Sequence, residues 1–466
     1  METLYLDEIL KATCGQTESR DKTAKVKGVS TDSRTIMQGD LFFAVKGDRF
    51  DGHDFITKAL TSGASGVVIS NEFKLEPGHD NTLVIRVKDT TTALGDLAKY
   101  YRKKLDTKVV GITGSNGKTT TKEMTYHVLS RFGSASRSIK SFNNFIGVPV
   151  TIFGIEKRHQ YGVLEMGTNA PGEIRRLSEI GAPDVAVIVN ISKTHLEGLK
   201  DIEGVARAKA EILENLSKDG VFVYNADNPW CVKIAGDFRG ETVSFGFSSR
   251  SHIKCTGVKE KDGGYIFEIN GDLKIPLPVP GDHNIMNCLA SFAVCKAFGH
   301  DIGSVPDAFA TFKLPDMRIE QQRVGNITVI NDAYNANPES VRAALRYLSG
   351  IDTTGRKVFI CGDMLELGSE SEQLHREIGE SVAKLRLDLL WTVGNHASEI
   401  SKAAKSSGMP ESRVVSFKEV SEITASDVNE LREDDIVLIK GSRGMHMENI
   451  IEKLRRYCTK QAPAHN

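Results

Sequence analysis

Long apolar runs, paired cysteines and an excess of one charge are all missing from this sequence of 466 residues. No uninterrupted apolar segment approaches the roughly 18 to 20 residues that a membrane-spanning helix needs. The first residues lack the basic and apolar regions of a signal peptide. The formal net charge of −1 gives no electrostatic reason to expect nucleic acid or an anionic membrane as a partner. We therefore expect a cytoplasmic protein that does not insert into membranes.

The seven cysteines are scattered along the chain, and no two of them form a Cys-x-x-Cys pair. An odd number without such pairs argues against a disulfide framework and against structural zinc. A reducing compartment is the simple interpretation. Cys288 and Cys295 are seven residues apart on the apolar face of a predicted helix, which indicates that both lie in a core.

Short apolar β-like runs alternate with helical patterns along the chain, which predicts an α/β fold. The length suits about three domains, which we place at residues 1–105, 106–314 and 315–466. The first is a small α/β unit. The second has a parallel sheet covered on both faces, followed by an antiparallel segment between 242 and 280. The third is a doubly wound, Rossmann-like sheet with several helices, one of them predicted over 418–430.

The most informative stretch is Gly114-Ser-Asn-Gly-Lys-Thr-Thr120, which lies between an apolar β-run and a predicted helix. Its glycines let backbone N–H groups approach phosphate oxygens, Lys118 can reach terminal phosphates, and Thr119 offers a hydroxyl to Mg²⁺. The strict phosphate-loop pattern has glycine six residues before the lysine, whereas this chain has Ile112 there. A strand-to-helix turn that is merely rich in glycine is the alternative.

Three further residues are candidates for a metal site near this loop. Glu165 ends an apolar run at the sheet edge where α/β proteins bind ligands, so it is a candidate Mg²⁺ ligand; helix capping is the alternative. His195 follows the next run and could bind a second metal ion or be structural. Lys209, judged by spacing alone, is an ordinary lysine on a helix surface.

Polar residues around the second domain boundary suggest contacts with a nucleotide. Asn284 and Asn287 are three apart on one helix face, where carboxamides can read a purine edge or cap the helix. Arg318 lies at the junction, a suitable place for an arginine that engages the γ-phosphate when domains close. Asp332 follows a strand and is placed for a ribose or a metal-bound water.

Two polar loops in the first domain, Val29–Arg34 and Lys46–His53, are rich in hydroxyls, glycine and basic residues. A cluster of hydroxyls beside an arginine suits a pyrophosphate or a sugar nucleotide. A solvated turn followed by a helix cap explains the first loop equally well.

Taken together, these motifs resemble the Mur ligase family over nearly the whole chain. The Gly114–Thr120 loop is similar to the family's characteristic phosphate loop, which accounts for Ile112. Four further segments and one residue pair follow in the family order: Asn143-Asn-Phe-Ile-Gly-Val-Pro149, Glu165-Met-Gly167, His195-Leu-Glu197, Ala208-Lys209 and Asp282-His-Asn-Ile-Met-Asn287.

Four segments most resemble the family member that adds D-alanyl-D-alanine to UDP-N-acetylmuramoyl-tripeptide. They are Ser30–Arg34 and Phe43–His53 in the first domain, and Asp332–Pro338 and Gly362–Gly368 in the third. A sister ligase that adds a single amino acid is the alternative. It loses support because the Asp-Asn-Pro of its third-domain motif occurs here only at 227–229, in the second domain. A folylpolyglutamate synthetase should lack the first domain, and a kinase or motor ATPase would need no acceptor amine.

The resemblance implies an ATP-dependent ligase that forms an acyl phosphate and acts as a cytoplasmic enzyme, which we expect to be monomeric. It implies two Mg²⁺ ions held by Thr119, Glu165, His195 and a carbamylated Lys209, with Lys118, His195, Lys209 and Arg318 taking part in catalysis. It implies ATP binding by Gly114, Ser115, Asn116, Gly117, Lys118, Thr119, Thr120, Asn144, Asn284, Asn287, Arg318 and Asp332. The UDP-linked tripeptide and D-alanyl-D-alanine would be bound by Ser30, Thr31, Ser33, Arg34, Lys46, Asn335 and Asn337.

Overall fold

The computed structural model describes residues 1–19, 23–47, 50–75 and 82–458, the last without the side chain of Cys458. Within these residues the strands form four sheets, of two, four, nine and six strands. The α/β fold class predicted from the sequence is confirmed. Each of the three larger sheets lies within one predicted domain, while the boundaries themselves stay a prediction.

The first domain is a small parallel sheet with one long helix and a separate antiparallel pair. Its elements are β1 (Leu4–Tyr5), α1 (Leu6–Thr13), β2 (Lys25–Val26), β3 (Gly28–Ser30), β4 (Asp40–Phe43), α2 (Ile56–Thr61), β5 (Gly66–Ser70), β6 (Leu83–Val87) and α3 (Thr90–Arg102). The parallel strands are ordered β3-β4-β5-β6. Asp89 begins α3 by accepting a hydrogen bond from the Thr92 N–H (2.6 Å).

The central domain is a nine-stranded mixed sheet. Its strands are β7 (Lys108–Thr113), β8 (Ala135–Arg137), β9 (Tyr161–Glu165), β10 (Val185–Ile188), β11 (Val221–Asn225), β12 (Glu241–Gly246), β13 (Ile253–Lys261), β14 (Gly264–Ile269) and β15 (Leu273–Leu277). Their order is β15-β14-β13-β12-β11-β10-β7-β9-β8. The last three strands pair antiparallel and the others parallel.

Helices cover both faces of the parallel part of this sheet. They are α4 (Lys118–Leu129), α5 (Gly147–Phe153), α6 (Glu173–Gly181), α7 (Leu196–Leu199), α8 (Ile202–Ala210), α9 (Pro229–Asp237) and α10 (His283–Ala297). Along β7, Val109 packs into one core and Val110 into another, so both faces are buried. Cys288 and Cys295 are fully buried on α10, which confirms their predicted place in the core.

The topology of the central sheet brings three strand ends together. The strands β10, β7 and β9 are neighbours, all parallel, with Thr113 opposite Ile188 and Ile112 opposite Glu165. The carboxyl ends of neighbouring parallel strands meet at one edge of a sheet, where open α/β sheets bind ligands. The phosphate loop, Glu165 and the segment that leads to His195 therefore share that edge.

The third domain is a six-stranded sheet with one antiparallel edge strand. Its elements are β16 (Glu320–Val324), β17 (Ile327–Asn331), α11 (Pro338–Gly350), β18 (Lys357–Gly362), α12 (Ser371–Lys384), β19 (Leu389–Val393), α13 (Ala397–Ser406), β20 (Val414–Phe417), α14 (Ala425–Asn429), β21 (Ile436–Lys440) and α15 (Asn449–Cys458). The strand order is β16-β17-β21-β18-β19-β20.

The helix predicted over 418–430 is wrong in its first half. A short 3₁₀ turn occupies Val420–Glu422, and α14 begins only after Thr424. Thr424 and Asp427 form a capping box, which starts a helix at that point because each side chain satisfies the other's backbone N–H.

Among the described parts of the chain, none of the helices combines the length and the apolar character that crossing a bilayer requires. The six cysteines whose side chains are described are all free thiols, and Cys14 is the exposed one of these.

Candidate functional site

A cleft of about 940 Å³ lies between the three domains. The central domain contributes the phosphate loop, Glu165 and His195, the first domain contributes Lys46, and the third contributes the strand-end residues near Arg318. Of the residues predicted from the sequence, the following line it: Lys46, Ser115, Asn116, Gly117, Lys118, Thr119, Thr120, Asn144, Glu165, His195, Asn284, Asn287, Arg318, Asp332, Asn335 and Asn337.

The phosphate loop depends on glycine at Gly117. Its backbone is left-handed (φ +79°), and a Cβ there would lie 2.3 Å from Asn287 Oδ1. Any other residue would therefore combine backbone strain with a collision. Helix α4 begins directly after this residue, so its N-terminal N–H groups and its dipole are directed to the cleft.

The loop is held by the segment that follows β10. Asn190 accepts hydrogen bonds from the Ser115 N–H at its carbonyl (3.0 Å) and from the Asn116 N–H at its side chain (2.8 Å). Lys118 Nζ donates to the Gly114 carbonyl (2.8 Å). Burial lowers the pKa of Lys118, and the nearby Glu165 partly offsets that effect. The Lys118 amine is thus held against the loop, at the helix N-terminus.

Glu165 ends β9 and is 1% exposed. Its Oε1 accepts a hydrogen bond from Asn143 Nδ2 (2.8 Å), whereas its buried Oε2 has no hydrogen-bond partner within the residues that the structure describes. An unsatisfied buried carboxylate oxygen is costly. The capping alternative does not apply, because Glu211 accepts the N–H groups of Gly172 and Arg175 at the start of the next helix. The geometry leaves Glu165 one oxygen for a ligand from the cleft.

His195 lies in a left-handed backbone conformation (φ +53°) at the start of the short helix α7. Its Nδ1 is hydrogen-bonded to Glu366 Oε2, a residue of the third domain, and its side chain is 21% exposed. That hydrogen bond lowers the pKa of Glu366. The His195 ring is therefore in contact with a side chain of the third domain.

Lys209 is not the surface lysine that its spacing suggests, because it is 1% exposed on α8. Burial lowers the pKa of Lys209 well below its usual value, and the positive charge of Lys118 lowers it further. The buried thiol of Cys231 lies nearby, and burial raises the pKa of that thiol to about 12. Although Lys209 does not line the cleft, it lies close enough to Lys118 to sense its charge.

The third domain reaches the phosphate loop through Arg318. Its Nη2 donates to Thr119 Oγ1 (2.9 Å), and its guanidinium lies 4.2 Å from the centre of the Tyr334 ring. The Tyr334 hydroxyl in turn is hydrogen-bonded to Ser141 of the central domain. The cationic group predicted at the domain junction is therefore in direct contact with the loop.

Asn337 joins the same two domains. It exchanges two amide hydrogen bonds with Asn116, from Asn337 Nδ2 to Asn116 Oδ1 (2.6 Å) and from Asn116 Nδ2 to Asn337 Oδ1 (3.2 Å). It also caps α11. Asn335 accepts from the Arg443 N–H at its side chain (3.3 Å) and from Lys440 Nζ at its carbonyl (3.0 Å). Their predicted role in binding an amino substrate stays a prediction.

The polar groups of the residues predicted to contact adenine and ribose are engaged within the protein. Asn284 Nδ2 donates to the Pro280 carbonyl (2.7 Å), and Asn287 Nδ2 donates to Asn284 Oδ1 (3.0 Å). Asp332 Oδ2 accepts from Lys440 Nζ (2.6 Å). Asn144 Oδ1 accepts the N–H of Gly147, the first residue of α5 (2.9 Å). These side chains line the cleft while stabilising its walls.

The first-domain loop at Ser30–Arg34 lies outside the cleft. Arg34 is exposed and pairs with Asp32, and its hydrogen bonds lower the pKa of Asp32 to about 2. Ser30 Oγ and Thr31 belong to the same local turn, in which the Asp32 N–H donates to Ser30 Oγ (3.1 Å), and Ser33 is buried. In the second predicted loop, residues 48 and 49 lie outside the described residues, while Lys46 lines the cleft.

Sequence reasoning did not assign a role to Asn190. It placed Lys440 and Glu366 only within two polar segments at strand ends, Lys440–Arg443 and Cys361–Gly368, that could line a pocket facing the nucleotide, and Lys440 does line the cleft. Asn190 and Lys440 each stand at the end of a parallel strand, the same signal that selected Glu165. Glu366 lies in a polar loop after β18, and nothing in its spacing relates it to His195, 171 residues earlier.

Comparison with known proteins finds three family profiles along the chain. They are the Mur ligase family catalytic domain at residues 25–102, the Mur ligase middle domain at residues 112–295, and the Mur ligase glutamate ligase domain at residues 317–443. The three profiles follow the order of the three larger sheets.

Individual relatives match over nearly the whole chain. The sequence is 36% identical over 431 residues to the UDP-N-acetylmuramoyl-tripeptide--D-alanyl-D-alanine ligase of Bacillus subtilis (strain 168), covering 92% of this chain and 93% of the relative. The structure is similar to a crystal structure of MurF from Acinetobacter baumannii (TM-score 0.86, 31% identity, 98% of this chain and 99% of that one). It is also similar to MurF ligase from Thermotoga maritima in complex with ADP (TM-score 0.80, 28% identity, 94% and 99% covered).

Proposed function

This chain belongs to the Mur ligase family, and we propose that it is the ATP-dependent ligase that adds D-alanyl-D-alanine to UDP-N-acetylmuramoyl-tripeptide. The observation that carries this proposal is a phosphate loop in a cleft bounded by all three domains, in a chain aligned nearly end to end with ligases of that name. A kinase or motor ATPase needs no such meeting point for an acid, a nucleotide and an amine.

The reaction has two steps, the first at the terminal phosphate of ATP and the second at the acyl carbon. The free carboxylate of the UDP-linked tripeptide attacks the γ-phosphorus of ATP, and the bond to ADP breaks, giving an acyl phosphate. The amine of D-alanyl-D-alanine then attacks the acyl carbon; an amide forms, inorganic phosphate leaves and the amine loses a proton. Lys118 and Arg318 stabilise the negative charge on the transferring phosphoryl group, since one lies in the loop and the other contacts Thr119.

The residues present fit Mg²⁺. The buried Glu165 Oε2 lacks a hydrogen-bond partner among the described residues, and the Thr119 hydroxyl begins the helix after the phosphate loop. No group of three or more His, Cys, Asp or Glu side chains that could hold a metal was found where the structure is described. That suits Mg²⁺, which binds to one or two carboxylates together with substrate phosphates and water. When bound, the ions would neutralise phosphate charge and let two anions approach; Thr119, Glu165, His195 and modified Lys209 would hold them.

A carbamylated Lys209 is supported by its surroundings. Carbamate formation needs an uncharged amine, and burial holds the pKa of Lys209 well below its usual value. The product carries a negative charge, and Lys118 is the cation close enough to balance part of it. CO₂ is the only co-reactant, and the amine releases one proton as the new C–N bond forms.

For the remaining contacts, we propose that Ser30, Thr31, Ser33, Arg34 and Lys46 bind the UDP-linked substrate and that Asn335 and Asn337 bind the dipeptide. ATP would contact the phosphate loop together with Asn144, Asn284, Asn287 and Asp332. The protein would act as a monomer in the cytoplasm, where ATP is available and where the free thiols of its described cysteines would remain reduced.

The test is phosphate release measured with ATP, UDP-N-acetylmuramoyl-tripeptide and D-alanyl-D-alanine, omitting each in turn and offering tripeptides ending in meso-diaminopimelate or lysine. We expect sustained release only when all three are present. Undiminished release without the dipeptide would contradict the ligase proposal. Equal turnover with a single amino acid in place of the dipeptide would favour the sister ligase.

A further inference from the structure

The backbone around His195 is fixed by its own turn, but the orientation of the imidazole ring is not. The His195 carbonyl accepts the N–H groups of Gly198 (3.2 Å) and Leu199 (2.9 Å), which holds the residue at the start of α7. The ring makes its hydrogen bond to Glu366, which belongs to a different domain. Metal-binding histidines usually donate their second ring nitrogen to such a partner, which fixes the tautomer and the ring orientation.

The backbone also docks the two segments against each other. The Glu197 N–H donates to the Glu366 carbonyl (3.2 Å). Gly368 is left-handed (φ +57°), and a Cβ there would lie 3.4 Å from the Glu197 backbone. Lys193 Nζ pairs with Glu370 Oε2 (2.5 Å) across the same interface. The contact of Glu366 with His195 is therefore one part of a continuous interface between the domains.

The third domain holds the Glu366 loop firmly on its own side. His375 is fully buried; its Nδ1 is hydrogen-bonded to the Ser371 carbonyl (2.7 Å), and its Nε2 accepts the Met364 N–H (3.0 Å). The Leu365 N–H donates to Ser442 Oγ (2.8 Å). Two consecutive N–H groups just before Glu366 are thus satisfied by buried side chains, so the carboxylate is presented from a rigid support.

We propose that Glu366 is a positioning residue that orients His195 for metal binding and does so only when the third domain is docked. By accepting the proton on Nδ1, the carboxylate leaves the lone pair of the imidazole on Nε2. The metal site would then be complete only in the docked arrangement, in which Arg318 also reaches Thr119. This inference rests on the proposed metal-binding role of His195 and does not depend on which amine the enzyme accepts.

The experiment combines two readouts on the full chain, neither of which requires turnover. The first is ¹⁵N NMR of labelled histidine, which distinguishes the two neutral tautomers and the imidazolium; the His195 signals are assigned with His195→Gln. The second is Mn²⁺ affinity, measured by EPR in the presence of a non-hydrolysable ATP analogue. The variants are Glu366→Ala and Glu366→Gln, with Glu370→Ala as the matched control that breaks the neighbouring ion pair.

We expect His195 to carry its proton on Nδ1 in the unaltered protein and in Glu366→Gln, whose carboxamide oxygen can still accept it. Glu366→Ala should shift the tautomer population and weaken Mn²⁺ binding about 10- to 100-fold. Glu370→Ala should change neither readout. Unaltered Mn²⁺ affinity in Glu366→Ala would overturn the proposal. A His195 ring that remains a doubly protonated imidazolium while Mn²⁺ is bound at another site would overturn it as well. Because Glu366 is half exposed, its variants are expected to fold, which circular dichroism checks.

Discussion

Two lysines of the central domain are equally buried and lie in opposite environments. Lys122, on α4 one turn after Lys118, is 0% exposed; its Nζ donates to the carbonyls of Ser138 (2.8 Å) and Lys140 and pairs with Glu123 (2.9 Å). Lys209, on α8, is 1% exposed, and after burial the positive charge of Lys118 is the main influence that lowers the pKa of its amine.

The comparison shows that the groups around a buried lysine, rather than burial alone, determine its role. Carbonyls and a carboxylate satisfy the donors of a buried ammonium group and tie the surrounding segments together. Burial beside another cation favours the uncharged amine, which is the nucleophilic form of a lysine. Lys122 therefore holds segments of the domain together, whereas Lys209 has the lowered pKa that the proposed carbamylation requires.

The largest expected effect comes from Lys209→Gln. The variant should lower kcat about a hundredfold or more, because a metal ion acting on the phosphoryl group contributes several kcal/mol that depend on its ligands. The free energy of unfolding should change little, since glutamine keeps a long side chain with a polar end group in the same buried position. Steady-state phosphate release and urea unfolding measure the two quantities.

Labelling with ¹³C-bicarbonate tests directly whether Lys209 carries a carbamate. A carbamate signal should appear in the unaltered protein and vanish in Lys209→Gln. Partial recovery of the variant's activity with acetate would identify the missing group as a carboxylate. If kcat of Lys209→Gln stays within threefold of the unaltered enzyme, the carbamate proposal fails.

Lys122→Met should have the opposite profile, with a large effect on stability. The carbonyls of Ser138 and Lys140 and the carboxylate of Glu123 lose the ammonium group that they contact. This loss should lower the free energy of unfolding by about 2–4 kcal/mol. The control is Lys103→Met, at an exposed position, which should stay within about 0.5 kcal/mol. The folded fraction of Lys122→Met should keep its carbamate signal. Unchanged stability would show that the contacts of Lys122 contribute nothing.

The smallest expected effect is that of Cys231→Ser, next to Lys209. Burial raises the pKa of the Cys231 thiol to about 12, so the group is neutral at pH 8 and supplies no counter-charge to the lysine. The hydroxyl can still donate to the Ile188 carbonyl, as the thiol does, so we expect a loss of about 1 kcal/mol in stability and a kcat within threefold. A drop in kcat as large as that of Lys209→Gln would instead make the thiolate a partner of Lys209.

Prediction from the sequence succeeded where the candidate site residues lie within one segment or at the ends of parallel strands. The phosphate loop, Glu165 and the strand end before His195 could be placed together because parallel strands deliver their carboxyl ends to one edge. It failed at Val420–Glu422, where the capping box at Thr424 outweighs a helical pattern. It could not identify Glu366, because a hydrogen bond between loops of different domains leaves no periodic signal.

The phosphate loop is encoded locally, since its glycines, lysine and hydroxyls act within a few residues of one another. The burial of Lys209 depends on the packing of the domain, because helical spacing does not say what packs against a face. It alone brought Arg318 to Thr119 and Glu366 to His195. Those contacts join segments far apart in the chain, and their geometry depends on how the third domain docks.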